Sequence, residues 1–227
     1  MMYIPSDLWN FSIFIQKKLN FRAQIIIYIY TINKIVTTNS NSFTKNDHIM
    51  GICKIELLRE HQFSSIEKKP GYYRWWFKKE AAEQLIQELY EWLPESDKFL
   101  TEVIDREEYI ALYFGISKNL KGRIKWHASQ KHTPSAISRG LLSTLRQTLS
   151  ALLKEKMSVS YETINEFMDE NCIWEWEYSD TYADAQKVES DILRNQEYYY
   201  PLNIKENHTV NKDILKWLKG KRALYRC

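Results

Sequence analysis

Arg123 and His127 combine a guanidinium and an imidazole in a segment whose pattern predicts a helix over 118–130. Residues four positions apart share one face of a helix, so we expect the two side chains to project together. A guanidinium binds phosphate oxygens through two parallel hydrogen bonds, and an imidazole exchanges protons near neutral pH. The pair therefore suits a phosphate diester and its leaving oxygen.

The segment before that helix, about 108–115, predicts a β-strand. Alternation puts Ile110, Leu112 and Phe114 on the more apolar face, and Tyr109, Ala111 and Tyr113 on the other. Gly115 then permits a close backbone approach or a positive φ. Ser117 is the expected N-cap, and the free N–H groups behind it can meet an anion such as phosphate. From spacing alone, a structural role for these residues is an equal alternative.

Glu189 lies within an apolar stripe on a helix predicted over 181–198. The stripe is formed by Ala185, Val188, Ile192 and Leu193. A carboxylate on an inward stripe is costly unless it is paired or bound to a metal ion. The alternative interpretation is a glutamate at the edge of the stripe whose carboxylate reaches solvent.

The charge distribution is uneven, although the formal net charge is only +3. Residues 109–154 contain no Asp or Glu, and residues 155–197 are rich in carboxylates. The basic residues of the first stretch are Lys118, Lys121, Arg123, Lys125, Lys131, Arg139, Arg146 and Lys154. A basic half beside an acidic half suits a phosphate-binding groove next to a metal site, whereas a solvated helix face is the plainer explanation.

The remaining pattern predicts an α+β fold. Strands are expected at 72–77 and Cys172–Tyr178, and helices at 78–93, 134–154, 161–170 and Lys212–Leu224. This order indicates a small three-stranded, mainly antiparallel sheet flanked by helices, with one helix inserted between the first two strands. The polar residues of 142–148 could touch DNA, or they could form a solvated helix face.

Composition divides the chain into four expected segments. Residues 1–49 differ from the rest and predict an N-terminal extension that is poorly ordered or precedes the natural start at Met50. A lead-in follows at 50–69, then a main domain at 70–205 and a basic C-terminal tail at 206–227. Three widely spaced cysteines and the short apolar run at 25–30 predict a cytoplasmic protein without a membrane span.

Several short motifs together resemble the GIY-YIG nuclease family. Gly71-Tyr72-Tyr73 is similar to the "GIY" element and Tyr113-Phe114-Gly115 to the "YIG" element. The family's strand-to-helix signature continues through Arg123 and His127. Glu189 resembles its metal-binding glutamate, and Pro201-Leu202-Asn203 resembles a shortened form of its closing Pro-x-x-Asn. The resemblance covers roughly 70–205, and it departs from the family in the long insertion between the two tyrosine elements.

The resemblance implies an endonuclease that hydrolyses DNA phosphodiester bonds with one Mg²⁺ or Mn²⁺ ion. Glu189 would hold the metal, and Tyr73 would accept the proton of the attacking water as a phenolate stabilised by Lys118 or the metal's water shell. Tyr113 would position that water or the phosphate, and Arg123 would stabilise the transition state. His127 would assist proton transfer, and Asn203 would brace the site. Phosphate or DNA contacts are expected at Gly115, Lys118, Lys121 and Lys125.

Two other classes of protein remain open at this point. The first is a module on the same fold that binds nucleic acid without cleaving it. The second is a structural or interaction protein in which Tyr73, Tyr113 and the tryptophans serve only the core. Within the nuclease interpretation, double-stranded or branched DNA is the expected partner. Its biological task, its sequence specificity and the oligomeric state stay open.

Overall fold

The computed structural model describes residues 50–93, 95–205 and 207–226. The predicted N-terminal extension, residues 1–49, lies outside this described part. The strands are β1 (Met50–Lys54), β2 (Gly71–Lys78), β3 (Thr101–Ile104), β4 (Glu107–Ser117) and β5 (Cys172–Tyr178). The helices are α1 (Ile55–Glu60), α2 (Lys79–Ile86), α3 (Leu120–Ser129), α4 (Pro134–Ser138), α5 (Thr144–Leu152), α6 (Tyr161–Asn171), α7 (Tyr182–Arg194) and α8 (Lys212–Leu224).

The sheet has five strands in the order β1-β5-β2-β4-β3, and every neighbouring pair is antiparallel. The predicted α+β class is therefore confirmed, and the predicted number of three strands is wrong. The two missed strands are both short edge strands. β3 joins β4 through a tight turn at Asp105 and Arg106, whose φ angles are +52° and +71°. Neither residue is glycine, so the sequence lacks the usual signal for such a turn.

The two faces of the sheet carry separate apolar cores. The front face, which bears Tyr73, Trp75 and Phe77 of β2, is packed by apolar side chains from α1, α2, α3, α5, α6 and α8. The back face, which bears Tyr72, Arg74 and Trp76, is covered by α7 through Ala185 and Leu193. Consecutive residues of β2 therefore enter different environments, as the alternation of a strand requires.

The segment between β2 and β4 contains the inserted helix that the sequence predicts. α2 begins directly after β2 and buries Ala81, Ala82, Leu85 and Ile86. The predicted helix at 78–93 is α-helical only to Ile86 and continues as a 3₁₀ helix over Gln87–Trp92. The insertion also contributes β3, and it therefore extends the sheet and packs on the front core.

The predicted helix at 134–154 is wrong because it is two helices, α4 and α5. Gly140 separates them with a φ of +65°, which a continuous right-handed helix cannot contain. Ser143 then begins α5 as its N-cap, accepting a hydrogen bond from the backbone N–H of Arg146. Leu141 lies in the connection between the two helices and is 52% exposed.

The C-terminal segment forms the predicted helix at Lys212–Leu224. Its residues Ile214 and Leu218 are fully buried in the front core. Its Arg222 side chain donates hydrogen bonds to Thr144 and Thr148 of α5. α8 is therefore an integral layer of the front side. Across the residues described, no helix has both the length and the apolarity needed to cross a bilayer.

Candidate functional site

A β-bulge in β4 brings the two motif tyrosines to the same face. Trp75 pairs with Tyr113 and Trp76 pairs with Ala111, so Leu112 is an extra residue on the β4 side. The Tyr73 and Tyr113 rings consequently stack on the front face, with centroids 6.3 Å apart. The predicted alternation is wrong at Phe114, which the bulge turns to the back face against Tyr72 and Tyr200.

Gly115 lies directly beneath the Tyr73 phenol. A Cβ atom at residue 115 would come within 2.6 Å of the Tyr73 hydroxyl oxygen and 3.2 Å of the Tyr113 ring. A close approach rather than a positive φ therefore requires glycine here, and the approaching group is a tyrosine side chain. The expected phosphate contact of Gly115 stays a prediction.

His127 connects α3 to this tyrosine pair. Its Nε2 lies 2.9 Å from the Tyr73 hydroxyl, and its Nδ1 lies 2.7 Å from the Ser143 hydroxyl. Tyr73, His127 and Ser143 are buried, whereas Tyr113 is half-buried. We call these four residues the phenol–imidazole cluster. It is the innermost part of the candidate site.

The pKa values of this cluster favour neutral side chains. Burial lowers the pKa of His127 well below 6.5, and the charges of Arg123 and Arg146 lower it further. Burial raises the pKa of Tyr73 well above 10. Tyr113 and Glu189 raise that pKa further, whereas the charge of Arg123 lowers it. A charge that promotes ionisation of Tyr73 is therefore already supplied by Arg123.

Arg123 lies one helical turn before His127, as the spacing predicts. It is half-buried, and its guanidinium carbon lies 4.9 Å from the centre of the Trp126 ring. Within the described residues no carboxylate forms an ion pair with Arg123, in contrast to Arg59 and Arg74, which pair with Asp169 and Glu175. The Arg123 guanidinium is thus positioned next to the cluster by stacking rather than by an internal ion pair.

Glu189 comes from α7, on the opposite side of the sheet. Thr181 and Asp184 form a capping box that fixes the start of this helix. Ala185 and Leu193 of the predicted stripe are buried, and Glu189 between them is half-buried. The negative charge of Glu189 raises the pKa of Tyr73, so this residue of α7 lies within electrostatic range of β2.

Asn203 braces the open edge of β4 beyond its short pairing with β3. Its side-chain oxygen accepts a 2.8 Å hydrogen bond from the N–H of Phe114. Its side-chain amide donates a 2.6 Å bond to the carbonyl oxygen of the same residue. The buried Asn203 thereby replaces a neighbouring strand next to the bulge.

The start of α3 is not available to an anion, contrary to expectation. Asn119, not Ser117, is the N-cap, and its side chain accepts the N–H of Gly122. The preceding N–H groups of Leu120 and Lys121 donate to the carbonyls of Lys69 and Glu67. Because these donors are occupied, a phosphate at this helix would have to be bound by side chains.

The candidate basic residues of α3 and its approach lie at the surface. Lys118 and Lys125 are exposed, and Lys121 is half-buried. The Lys118 ammonium lies 5.2 Å from the centre of the Tyr182 ring, at the start of α7. Among the residues that the structure describes, no carboxylate forms an ion pair with these three lysines. Lys125 lies over the Phe63 ring, 5.9 Å from its centre, and contact of the three lysines with phosphate stays a prediction.

The stretch at 142–148 is buried except at Thr144. Arg146 is fully buried, and its guanidinium donates to His132, to Asn165 and to the carbonyls of His127 and Ala128. Thr148 is also buried, where it accepts a hydrogen bond from Arg222. Both earlier interpretations of this stretch, a DNA-contacting face and a solvated face, are therefore wrong at these residues.

Sequence reasoning missed two residues next to the motif positions, Ser143 and Arg222. Ser143 contacts His127, and Arg222 lies within electrostatic range of Tyr113. Burial lowers the pKa of Arg222 to about 10. The break at Gly140 was the one available signal for Ser143, because a serine that follows a helix break is a common N-cap.

The donor atoms present fit a metal ion that needs few protein ligands. In the described part of the chain, no group of three or more His, Cys, Asp or Glu side chains could hold a metal ion. Mg²⁺ is commonly held by one or two carboxylates, with water and substrate phosphate oxygens as its other ligands. Glu189, a hard oxygen ligand near Tyr73, suits this kind of shared site.

The chain was also compared with known proteins. A family model described as the GIY-YIG catalytic domain matches residues 71–224. This range includes β2 through α8, and hence all the residues of the candidate site. No curated protein and no solved structure matches the chain.

Proposed function

The chain belongs to the GIY-YIG nuclease family, and on that premise we propose that it is a divalent-metal-dependent endonuclease that hydrolyses phosphodiester bonds in DNA. The observation that carries the proposal is the hydrogen bond between the Tyr73 hydroxyl and His127 Nε2, next to Arg123 and within the electrostatic range of Glu189. The Tyr73 oxygen, the proposed proton acceptor, is thus buried beside an imidazole and under the influence of a guanidinium and a carboxylate.

In the proposed reaction, a water molecule attacks phosphorus and the bond from phosphorus to the 3′-oxygen breaks. The Tyr73 phenolate takes a proton from the water, and the leaving oxygen is protonated from solvent. A bound Mg²⁺ or Mn²⁺, held by Glu189, would offset negative charge on the phosphate and the leaving oxygen. Arg123 would stabilise the charge that develops on the equatorial oxygens.

The other site residues would position the reacting groups and set the charge around the Tyr73 oxygen. Tyr113 is half-buried beside Tyr73 and would orient the water or the phosphate. Burial lowers the pKa of His127 and favours its neutral form, and the ring would keep its hydrogen bond with the Tyr73 oxygen during proton transfer. Asn203 would keep Phe114, and with it the bulge that aims Tyr113, in place. Arg123, rather than Lys118, would supply the charge that favours the Tyr73 phenolate.

The substrate we propose is double-stranded or branched DNA. The basic side chains Lys118, Lys121 and Lys125 would contact phosphates beside the cleaved bond, so binding should weaken as salt rises. We place the chain in the cytoplasm, where its described cysteines, Cys53 and Cys172, would remain free thiols. The segment at 70–205 would carry the catalytic residues, with α8 packed on its front core.

The alternative is a module that binds DNA without cleaving it. The burial that raises the pKa of Tyr73 favours this alternative, because a protonated phenol accepts no proton. In the nuclease, the charge of a bound metal ion would add to that of Arg123 and make the phenol basic enough to accept a proton.

A plasmid-nicking assay tests the choice between the two. Supercoiled plasmid is incubated with the protein and increasing Mg²⁺, then with excess EDTA. We expect metal-dependent open-circle product from wild type and none from Glu189→Ala, which also controls for contaminating nuclease. Asp191→Ala, an exposed change on the same helix, should keep activity. DNA binding without any product at all Mg²⁺ and Mn²⁺ concentrations would establish the alternative.

A further inference from the structure

Among the proposed catalytic residues, the Ser143 hydroxyl contacts His127. Ser143 is fully buried between α3 and α5, and its oxygen lies 2.7 Å from His127 Nδ1. The same oxygen accepts the backbone N–H of Arg146 at 3.4 Å. The family motif contributes Tyr73 and His127, whereas Ser143 belongs to the start of a different helix.

Hydrogen-bond counting distinguishes the two neutral forms of His127. If Nδ1 carried the proton, the ring would donate to Ser143, and the Ser143 hydroxyl proton would have no acceptor among the described residues. If Nε2 carries the proton, Ser143 donates to Nδ1 and accepts only from Arg146. A buried hydroxyl without an acceptor costs about 1–3 kcal/mol. In the second form the Tyr73 hydroxyl no longer donates to His127, but it has Tyr113 as another hydrogen-bond partner, so the second form satisfies the site better.

The tautomer of His127 determines whether its ring donates a hydrogen bond to the Tyr73 oxygen or accepts one from it. With the proton on Nε2, the ring donates across the 2.9 Å contact to the Tyr73 oxygen. A donor to that oxygen favours the phenolate over the phenol, because the phenolate is the stronger acceptor. The Tyr73 hydroxyl proton is then directed away from His127, towards Tyr113 and the open side of the site.

We propose that Ser143 is a positioning residue that holds His127 as its Nε2–H tautomer, so that the imidazole donates a hydrogen bond to the Tyr73 phenolate oxygen. This proposal rests on the proposed nuclease function for its consequence but not for the tautomer itself. His127 then stabilises the charged form of the general base, and it does not remove the base's proton.

The tautomer is measured on the intact chain labelled with ¹⁵N-histidine. Long-range ¹H–¹⁵N correlation spectra distinguish a pyridine-type nitrogen from a pyrrole-type nitrogen, and loss of one ring's signals in His127→Gln identifies His127 among the five histidines. We expect Nδ1 of His127 to be pyridine-type in wild type. Ser143→Ala should move the ring towards the Nδ1–H form or to a mixture.

Single-turnover cleavage supplies the second readout. Ser143→Ala should lower the rate about tenfold, the size of one neutral hydrogen bond at the upper end of its range, and should move the acid limb of the pH–rate profile to higher pH. Ser143→Thr keeps the hydroxyl and should restore both. Thr133→Ala, which removes the side-chain cap of α4 without touching His127, should change neither.

Two results would overturn the proposal: a pyrrole-type Nδ1 in wild type, or a Ser143→Ala variant with unchanged tautomer and pH profile. Failure of the nuclease function would look different. In that case wild type would not cleave DNA with any metal, and the spectra would still decide the tautomer.

Discussion

Two polar clusters lie on opposite faces of the same strands, and they are built differently. Tyr73 on the front face belongs to the phenol–imidazole cluster, whose buried members are neutral. The next residue, Arg74, belongs to a back cluster with Trp76, Glu175 and Tyr200. There Glu175 accepts a 2.8 Å hydrogen bond from Arg74 and a 2.6 Å bond from Trp76.

The difference indicates which cluster is structural. On the back face each charge has an internal partner of opposite sign, so the cluster is complete without a ligand. On the front side Arg123 stacks on Trp126, and no carboxylate in the described chain pairs with it. A cation placed beside a neutral phenol and imidazole has its complement in a phosphate. Changes in the phenol–imidazole cluster or Arg123 should therefore lower activity, and changes in the back cluster should lower stability.

The largest expected effect is on cleavage by Tyr73→Phe. Removal of the proton-accepting oxygen should lower the single-turnover rate by about 10²–10⁴. Tyr72→Phe, one residue earlier on the back face, is the matched control and should keep a rate near wild type. Equal rates in the two variants would remove the functional distinction between the faces.

Arg123→Ala should have the next largest effect. Loss of a group that stabilises transition-state charge typically lowers kcat by about 10²–10³. Arg139→Ala, which removes an exposed arginine of the same basic stretch, should have a small effect that fades as salt rises. Thermal unfolding of both variants checks that the fold is intact. An Arg123→Ala protein that cuts at the wild-type rate would contradict the assigned role.

Glu175→Gln should break the back cluster and leave the chemistry intact. Arg74 would lose its anionic partner in a site where the two side chains are only 22% and 14% exposed. We expect the free energy of unfolding to fall by about 2–3 kcal/mol, somewhat below the 3–5 kcal/mol of a fully buried pair. Urea unfolding measures this change. A normal stability combined with lost cleavage would reverse the assignment of the two clusters.

A smaller effect is expected from pH, through His132. Burial, together with the charge of Arg146, lowers its pKa in the folded protein from 6.5 to about 4. As pH falls below 6.5, the unfolded chain binds a proton that the folded chain excludes, so stability decreases towards pH 4. The decrease should reach up to about 2 kcal/mol by pH 5.

Urea unfolding at pH 7 and pH 5 tests this expectation. His132→Gln should flatten the dependence, whereas His61→Gln, at an exposed position, should leave it unchanged. A wild-type protein equally stable at both pH values would show that His132 titrates normally in the folded state.

The elements that the sequence predicted well have strong local patterns. β2 and β5 are rich in aromatic residues, and α6, α7 and α8 show apolar residues at helical spacing. Placement of Arg123 and His127 on one helix face followed from their spacing alone. Such features depend on near neighbours in the chain, and local pattern is sufficient for them.

The features that were missed depend on distant partners. The bulge at Leu112 exists only in the pairing of β4 with β2, and it reverses the face of Phe114. The N–H groups that begin α3 are taken by carbonyls of 67–69, which no helix pattern reveals. Ser143 reaches His127 only because Gly140 interrupts the chain between α4 and α5. Each error therefore lies where tertiary contacts override a local rule.

The central claim is that Glu189 from a late helix shares one metal ion with a phosphate held next to Tyr73, Tyr113 and Arg123. A crystal of Tyr73→Phe with uncleaved duplex DNA and Mn²⁺ tests it, since the anomalous signal locates the ion. We predict one Mn²⁺ bound to a Glu189 carboxylate oxygen and to an oxygen of the phosphate that Arg123 contacts. An ion bound elsewhere, or a duplex seated away from these residues, would contradict the account.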